Sequence, residues 1–333
     1  KAILLPVLLV AGGLAALAFF HFRISTDMYG DSRTLLNLLS HREFTVADLF
    51  RFDLTNDELR EPLTRLIHQR IARVFDLDQK LVFQIVSSAC GGLFVILFPY
   101  AILSFKGSAP WKPFLLVAGL ACGANQLFFG HVEDYTLVYL FIVAVLVLAW
   151  KLFDGDNSLF LIVVVFLIGT RLHPGMVLFL PALLYLFLYS KSQKHPHLKK
   201  WIQPRNILVA LGLTLVGGAL AYFFLFKADR LLVGDQKERG GKVFLPLVNL
   251  FPPPHNYTLL SFNHLSDIVQ ELLLTVSPGA VILLCLGIAF YRNVRWNAPR
   301  TIFFGIAAFY FMLFNLTVNP LLTPERDWDL LSL

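Results

Sequence analysis

Long apolar runs alternate with short polar connectors along most of this chain. Windows of transmembrane length fall at approximately Ala2–Phe20, Leu81–Phe105, Pro113–Phe129, Tyr135–Phe153, Leu159–Gly169, Gly175–Ser190, Asn206–Phe226, Ile268–Tyr291 and Thr301–Val318. A run of about 20 apolar residues is long enough to cross the hydrocarbon core as a helix. The pattern therefore predicts an all-α, polytopic transmembrane bundle of about nine spans. Its backbone polar groups are satisfied within helices. Alternating segments of about ten residues, the mark of a membrane barrel, do not occur. The fifth run is short, and it stops near Thr170–Pro174, where the proline disfavours a helical residue before it.

Two long polar segments interrupt the pattern, His21–Lys80 and Lys227–Asp267. Within the first, Leu63, Leu66, Ile67, Ile71 and Val74 recur at helical spacing over Pro62–Phe75. Pro62 suits a first-turn position, and Thr55 and Glu58 have capping-box spacing just upstream. This predicts an amphipathic helix lying in the membrane interface, with Arg65, Arg70 and Arg73 on its other faces. The second segment holds Gly240-Gly241 and Pro252-Pro253-Pro254, which read as irregular backbone. A second surface helix is expected to begin at Phe262–Ile268.

Charge in the short connectors sets an orientation. Lys106–Lys112, Lys151–Ser158, Lys191–Arg205 and Arg292–Arg300 together hold 11 Lys and Arg against two acids, Asp154 and Asp156. The alternate short loops carry almost no bases, so the first set is expected in the cytoplasm. Both long segments then fall on the exoplasmic side. The first apolar run is about 19 residues long with Gly12-Gly13 in its middle, so it reads as a retained helix and not a cleaved signal. Lys1 and Leu333 both read as cuts in a longer chain. Residues 1–333 are expected to form a single integral membrane domain, truncated at its C-terminal end.

Composition agrees with this picture. Of 333 residues, 57% are hydrophobic and only 15% charged, where a soluble domain carries about a quarter. The net charge of +6 is spread through loops with no aromatic-studded basic groove, which argues against nucleic acid as a partner. Cys90, Cys122 and Cys285 all lie inside apolar runs, at no disulfide or metal spacing.

Four polar knots stand out against the apolar background. They are Asp27–Asp31, Gly130–Tyr135, Thr170–Pro174 and Pro324–Asp329, and the orientation above puts all four on one side of the membrane. Ionisable groups beside lipid sit at an interface, face a wet cavity or find partners. Asp27 and Asp31, four residues apart, fit a general base for an acceptor hydroxyl. They equally fit solvated acids capping a helix at Ser32–Leu39. His131, Glu133 and Asp134 offer an imidazole and hard oxygens to a divalent cation such as Mg or Mn. They also fit a group that holds a leaving group, or a plain polar turn in water. Arg171 and His173 suit phosphate recognition, since guanidinium matches phosphate oxygens in a fork. A snorkelling arginine explains the same position. Glu325–Asp329, with Arg326 and Trp328, suits a membrane interface or the wall of a shared cavity, which His264 and Asp267 would join.

No nucleotide-phosphate loop, GxSxG elbow or HExxH helix occurs. A donor reached from the outer face is then more readily lipid-linked than a cytoplasmic nucleotide. With many spans, a long first exoplasmic loop and acids early in that loop, at Thr26–Ser32, the chain resembles the GT-C superfamily of membrane glycosyltransferases. That superfamily includes the protein mannosyltransferase and aminoarabinose transferase branches. Gly130–Tyr135 and Arg326–Leu330 resemble stretches of bacterial members. Asp31 is followed by Ser32, where the protein mannosyltransferases carry an acidic pair. The resemblance implies that Asp31, or failing it Asp27, is the catalytic acidic residue, acting as general base. It implies a bacterial inner membrane protein that is active on the periplasmic side, with a polyprenyl-phosphate sugar as donor and membrane lipids around it. Arg171, His173, Arg326 and His264 are then expected to bind substrate phosphate. Two other classes remain at this stage, a solute or lipid transporter and a non-catalytic assembly subunit. A transporter would place ionisable groups near the middle of its spans.

Overall fold

The computed structural model describes residues 3–25, 32–51, 61–105, 111–155, 159–215, 260–275, 285, 287–289, 291–293 and 295–317. Every element among the described residues is helical, and none is a strand. In chain order the α-helices are α1 (Leu4–His21), α2 (Ser32–His41), α3 (Pro62–Phe75), α4 (Gln79–Ser104), α5 (Trp111–Leu120), α6 (Tyr135–Phe153), α7 (Leu159–Leu172), α8 (Leu180–Ser192), α9 (Pro204–Leu215), α10 (Phe262–Thr275) and α11 (Pro299–Thr317). Among the described residues, five segments are long and apolar enough to cross a membrane: α1, α4, α6, Pro174–Ser192 and α11. Helices α7 and α9 are apolar but shorter.

The third apolar run differs from expectation. It is not one helix but α5 followed by a 3-10 segment at Gly123–Phe128. The break has a local cause. Asn125 Nδ2 donates to the carbonyls of Gly119 and Leu120, at 2.8 and 2.9 Å, and so satisfies the open end of α5. The sixth run also begins as a 3-10 turn, Pro174–Phe179, before α8.

The described residues form two compact units, one built on Lys1–Val177 and one on Leu178–Leu265 with Arg292–Leu321. In the second unit, Phe179 meets Phe311 of α11 edge to face at 5.0 Å, and Tyr310 donates to Thr214 of α9 at 3.2 Å. In the first, α1 lies along α4. The contact is close because glycines meet there. A Cβ added at Gly92 would lie 2.7 Å from the Gly12 carbonyl oxygen and 2.8 Å from the Ala16 Cβ. Small residues let helix backbones approach in lipid, where no hydrophobic force separates helix from solvent.

The first loop packs on the same scaffold. Leu35 and Leu39 of α2, Phe44 and Leu66 of α3 bury themselves against Phe83 of α4 and Val132. Ala72 of α3 joins Val82, Val86, Cys90 and Phe94 of α4 and Phe128 in a second cluster. Helix α3 has the expected bounds but an unexpected orientation. It buries Thr64, Arg65, His68 and Gln69, while Arg70, Arg73, Val74 and Phe75 are exposed. Its inward stripe is therefore largely polar. Gln69 explains part of this. Its amide accepts from Phe44 N at 2.8 Å and donates to the carbonyls of Leu39 and Arg42, at 3.2 and 2.7 Å, closing the end of α2.

The α1–α4 contact yields a paired test. Gly92→Ala is expected to cost about 1–3 kcal/mol through overpacking, read as a lower unfolding temperature in detergent. Gly13→Ala, whose new methyl meets nothing within 4 Å, should leave that temperature unchanged or higher.

Candidate functional site

The polar stretch after the 3-10 segment is aimed by one glycine. Gly130 has a φ of +71°, and a Cβ there would lie 2.7 Å from the Arg23 Cβ. Only glycine takes that backbone conformation without strain, and only glycine fits the space. Its N–H donates to Ser87 Oγ at 3.1 Å, and Ser87 in turn donates to the Leu127 carbonyl at 2.6 Å. The chain leaving α1 runs alongside. Ile24 N donates to the Phe129 carbonyl at 2.9 Å, and Gln84 Nε2 donates to the Ile24 carbonyl at 2.9 Å. Arg23 Nε closes the set on Gln84 Oε1 at 3.1 Å.

Beyond Gly130 the side chains turn inward. His131 is 4% exposed, Glu133 5% and Asp134 9%, so this stretch is not a turn in water. Asp134 Oδ2 lies 3.3 Å from Arg65 Nη2, and the same Nη2 lies 2.7 Å from Glu61 Oε2. Arg65 thus joins the first loop to the start of α6. Glu133 accepts from Ser32 Oγ, the first residue of α2, at 3.4 Å. His173 completes the group. Its Nδ1 accepts from Gly175 N at 3.0 Å, which leaves the proton on Nε2, 3.8 Å from Glu61 Oε1. Its ring lies 4.8 Å from that of Tyr135. Thr64 Oγ1 donates to the Leu172 carbonyl at 3.0 Å, tying α3 to the end of α7.

Arg171 serves a neighbouring node. Its Nη2 donates to the carbonyls of Asp48 and Arg51, at 3.3 and 3.0 Å. Asp48 is itself buried. Burial pushes its carboxyl up, but hydrogen bonds from Thr45 N and Oγ1, both 2.8 Å, and the Arg42 and Arg51 guanidiniums outweigh that and hold it below its usual range. Among the nearby histidines, burial pushes His131 down to about 4. Burial also takes His68 to about 4, against a 2.7 Å hydrogen bond to the Thr64 carbonyl that pulls the other way. His68 stacks on Phe83 with ring centroids 3.7 Å apart.

Of the residues singled out from sequence, the structure gathers His131, Glu133, Asp134, Arg171 and His173 in one unit. Asp27, Asp31 and Arg326 lie outside the described residues. His264 belongs to the second unit, where its Nε2 donates to the Leu316 carbonyl near the end of α11 at 2.9 Å. Sequence reasoning missed Glu61, Arg65, Ser32 and Asp48. The Glu61–Arg65 spacing of four residues marks an ion pair on one helix face, but nothing in the spacing says that the face is internal. No three His, Cys, Asp or Glu side chains converge as ligands for a metal among the described residues. Compared with known proteins, the chain matches no protein-family model, no curated protein and no solved structure.

Two measurements follow from this geometry. Arg65→Met would leave Glu61 and Asp134 as buried carboxylates without their shared cation, and should cost about 3–5 kcal/mol; removing all three charges together should cost less. The second concerns pH. The folded value for His68 lies below the unfolded 6.5, so the unfolded chain takes up the extra proton. Stability therefore falls as pH drops from about 6.5 towards about 4, by on the order of 3 kcal/mol from this group. His68→Gln should flatten that part of the unfolding-temperature profile.

Proposed function

We propose that this chain is an inverting glycosyltransferase of the GT-C kind. It moves a sugar from a polyprenyl-phosphate donor to an acceptor hydroxyl at the periplasmic face of a bacterial inner membrane. The observation that carries this reading is the buried polar cluster of Glu61, Arg65, Glu133, Asp134 and His173 at the ends of apolar helices. Buried ionisable groups are expensive beside lipid and tend to mark functional sites. The candidate spans α1, α4, α6, α8 and α11 carry Lys, Arg and His only at their ends, which favours surface chemistry over transport through the spans.

In this reading about nine spans hold the site, and His21–Lys80 is an exoplasmic loop over it. The outer side of α3, with exposed Val74 and Phe75, lies in the headgroup plane. Asp31 takes the proton from the acceptor hydroxyl. The hydroxyl oxygen attacks the anomeric carbon as the bond to the phosphate oxygen breaks, and the phosphate leaves with the electron pair. It is a good leaving group, so no separate acid is needed. Asp31 directly precedes Ser32 in the chain, and Ser32 is tied to Glu133. Arg171, His173 and Arg326 stabilise the departing phosphate. Arg171 Nη2 donates to the loop carbonyls of Asp48 and Arg51, which fixes where its guanidinium lies. A divalent cation at His131, Glu133 and Asp134 would neutralise the departing phosphate. Glu133 turns instead to Ser32 and Asp134 to Arg65, an arrangement that does not fit that role.

The test uses the purified protein in lipid, with polyprenyl-phosphate sugars as donors and a membrane extract as acceptor source. Release of polyprenyl phosphate is the readout. Asp31→Asn should lower it by at least about 100-fold while donor binding persists, and Asp27→Asn should change it only a few-fold. Full activity in Asp31→Asn removes the assigned base. No release with any donor from a folded protein removes the transferase itself. Loss of release on adding a chelator would restore the cation.

A further inference from the structure

The second unit carries a charged surface that the proposed reaction does not use. Between Lys191 and Arg205 lie five bases and no acid. Lys191, Lys194, Lys199, Lys200 and Arg205 are all exposed, as are His195 and His197. Among the described residues none of the five forms a salt bridge. The first loop is different: there Arg42, Arg51, Arg65 and Arg73 each meet a carboxylate.

The segment is an ordered elbow. It starts where the candidate span Pro174–Ser192 ends and stops where the apolar helix α9 begins. His195 N donates to the Lys191 carbonyl at 2.9 Å, and a 3-10 turn follows at Pro196–Lys200. Trp201 N donates to the Leu198 carbonyl at 3.0 Å, and Asn206 Nδ2 closes on the Lys200 carbonyl. Trp201 is 60% exposed, with the Lys200 ammonium 5.7 Å from its ring centroid. Lys191 lies 5.6 Å from the Phe187 ring in the same way. An elbow joining two apolar helices sits at the depth of the lipid headgroups, and an exposed indole favours that depth. A cluster of bases directly beyond a span is attracted to anionic lipid. Lysine ammoniums meet phosphate as point charges and need no fork geometry.

We propose that the Lys191–Arg205 elbow binds the phosphodiester headgroups of anionic phospholipids in the membrane that holds the chain. Five outward bases without carboxylates present a field that zwitterionic headgroups do not neutralise. Trp201 fixes the elbow at the interface, and the bases beside it select negative lipid. The inference is independent of the reaction assigned to the first unit.

The full chain, in detergent or in nanodiscs, is mixed with phosphatidylglycerol or with phosphatidylcholine, and bound lipids are counted by native mass spectrometry. Wild type should retain phosphatidylglycerol in preference, less so as salt rises. Lys194→Gln/Lys199→Gln/Lys200→Gln should weaken that binding about 100-fold, at about fivefold per base, and Trp201→Ala should weaken it as well. Arg292→Gln/Arg295→Gln, a pair of exposed bases elsewhere, should not. An unchanged unfolding temperature in phosphatidylcholine shows that the triple variant is folded. If that variant unfolds instead, the single changes Lys194→Gln and Lys199→Gln carry the test, each expected to weaken binding about fivefold. Equal retention of the two lipids by wild type overturns the proposal, as does phosphatidylglycerol binding unaffected by the substitutions. Capture of an RNA oligomer or an acidic peptide by the elbow in place of lipid overturns it too.

Discussion

One guanidinium holds the first unit together. Arg65 stands between Glu61, a turn before it in α3, and Asp134, 69 residues later at the start of α6. All three groups are withdrawn from water. Charges so placed are costly, and their mutual attraction offsets the cost only when geometry and hydrogen bonds are good. An apolar triplet of the same size would serve stability as well. What the ionic triplet supplies is a tie across 69 residues of chain, from α3 to the start of α6. The described helices α2 and α3 of His21–Lys80 are thereby packed against α4 and the start of α6.

The rest of the site repeats that logic with bonds from side chains to backbone. Side chains take over the open backbone ends that each short element leaves. Gln69 closes α2, Thr64 reaches the last carbonyl of α7, Asp48 caps its own 3-10 turn from Thr45, and Arg171 clasps the far side of that turn. These contacts join segments far apart in sequence without adding apolar surface. Function placed on loops needs such a frame, because a side chain held by packed neighbours keeps its aim. His173 is an example. Gly175 N donates to its Nδ1, so the proton sits on Nε2, which lies 3.8 Å from Glu61 Oε1.

Part of the frame was legible from hydropathy, because helix length and apolar spacing act locally. The bounds of Tyr135–Phe153 and Pro62–Phe75 could be read directly from the residues. The break inside Pro113–Phe129 could not, since it turns on one asparagine amide reaching back to α5. The inward face of α3 was also hidden. Its apolar residues suggested a lipid-facing stripe. What they do not reveal is that Arg65, His68 and Gln69 have partners waiting in segments 15 to 69 residues away. The polar knot at Gly130–Tyr135 was visible as a density of charge. Its main partners, Arg65 and Ser32, were not, because pairing across such separations leaves no local period.

The chain thus uses the same residue types in two opposite ways. In the first loop nine bases meet ten acids in the sequence, and among the described residues four arginines are paired with carboxylates there. Such a segment is nearly neutral from outside, so its charges act on each other and fix its shape. In Lys191–Arg205 five bases meet no acid, and all of them point outward. There backbone turns and the Asn206 amide hold the shape, and the charge is left to act on whatever lies at the surface. A membrane protein must orient itself and also enclose polar groups at its helix ends. Segregating unpaired from paired bases achieves both with one set of side chains, because screening in water weakens the first at a distance while burial protects the second.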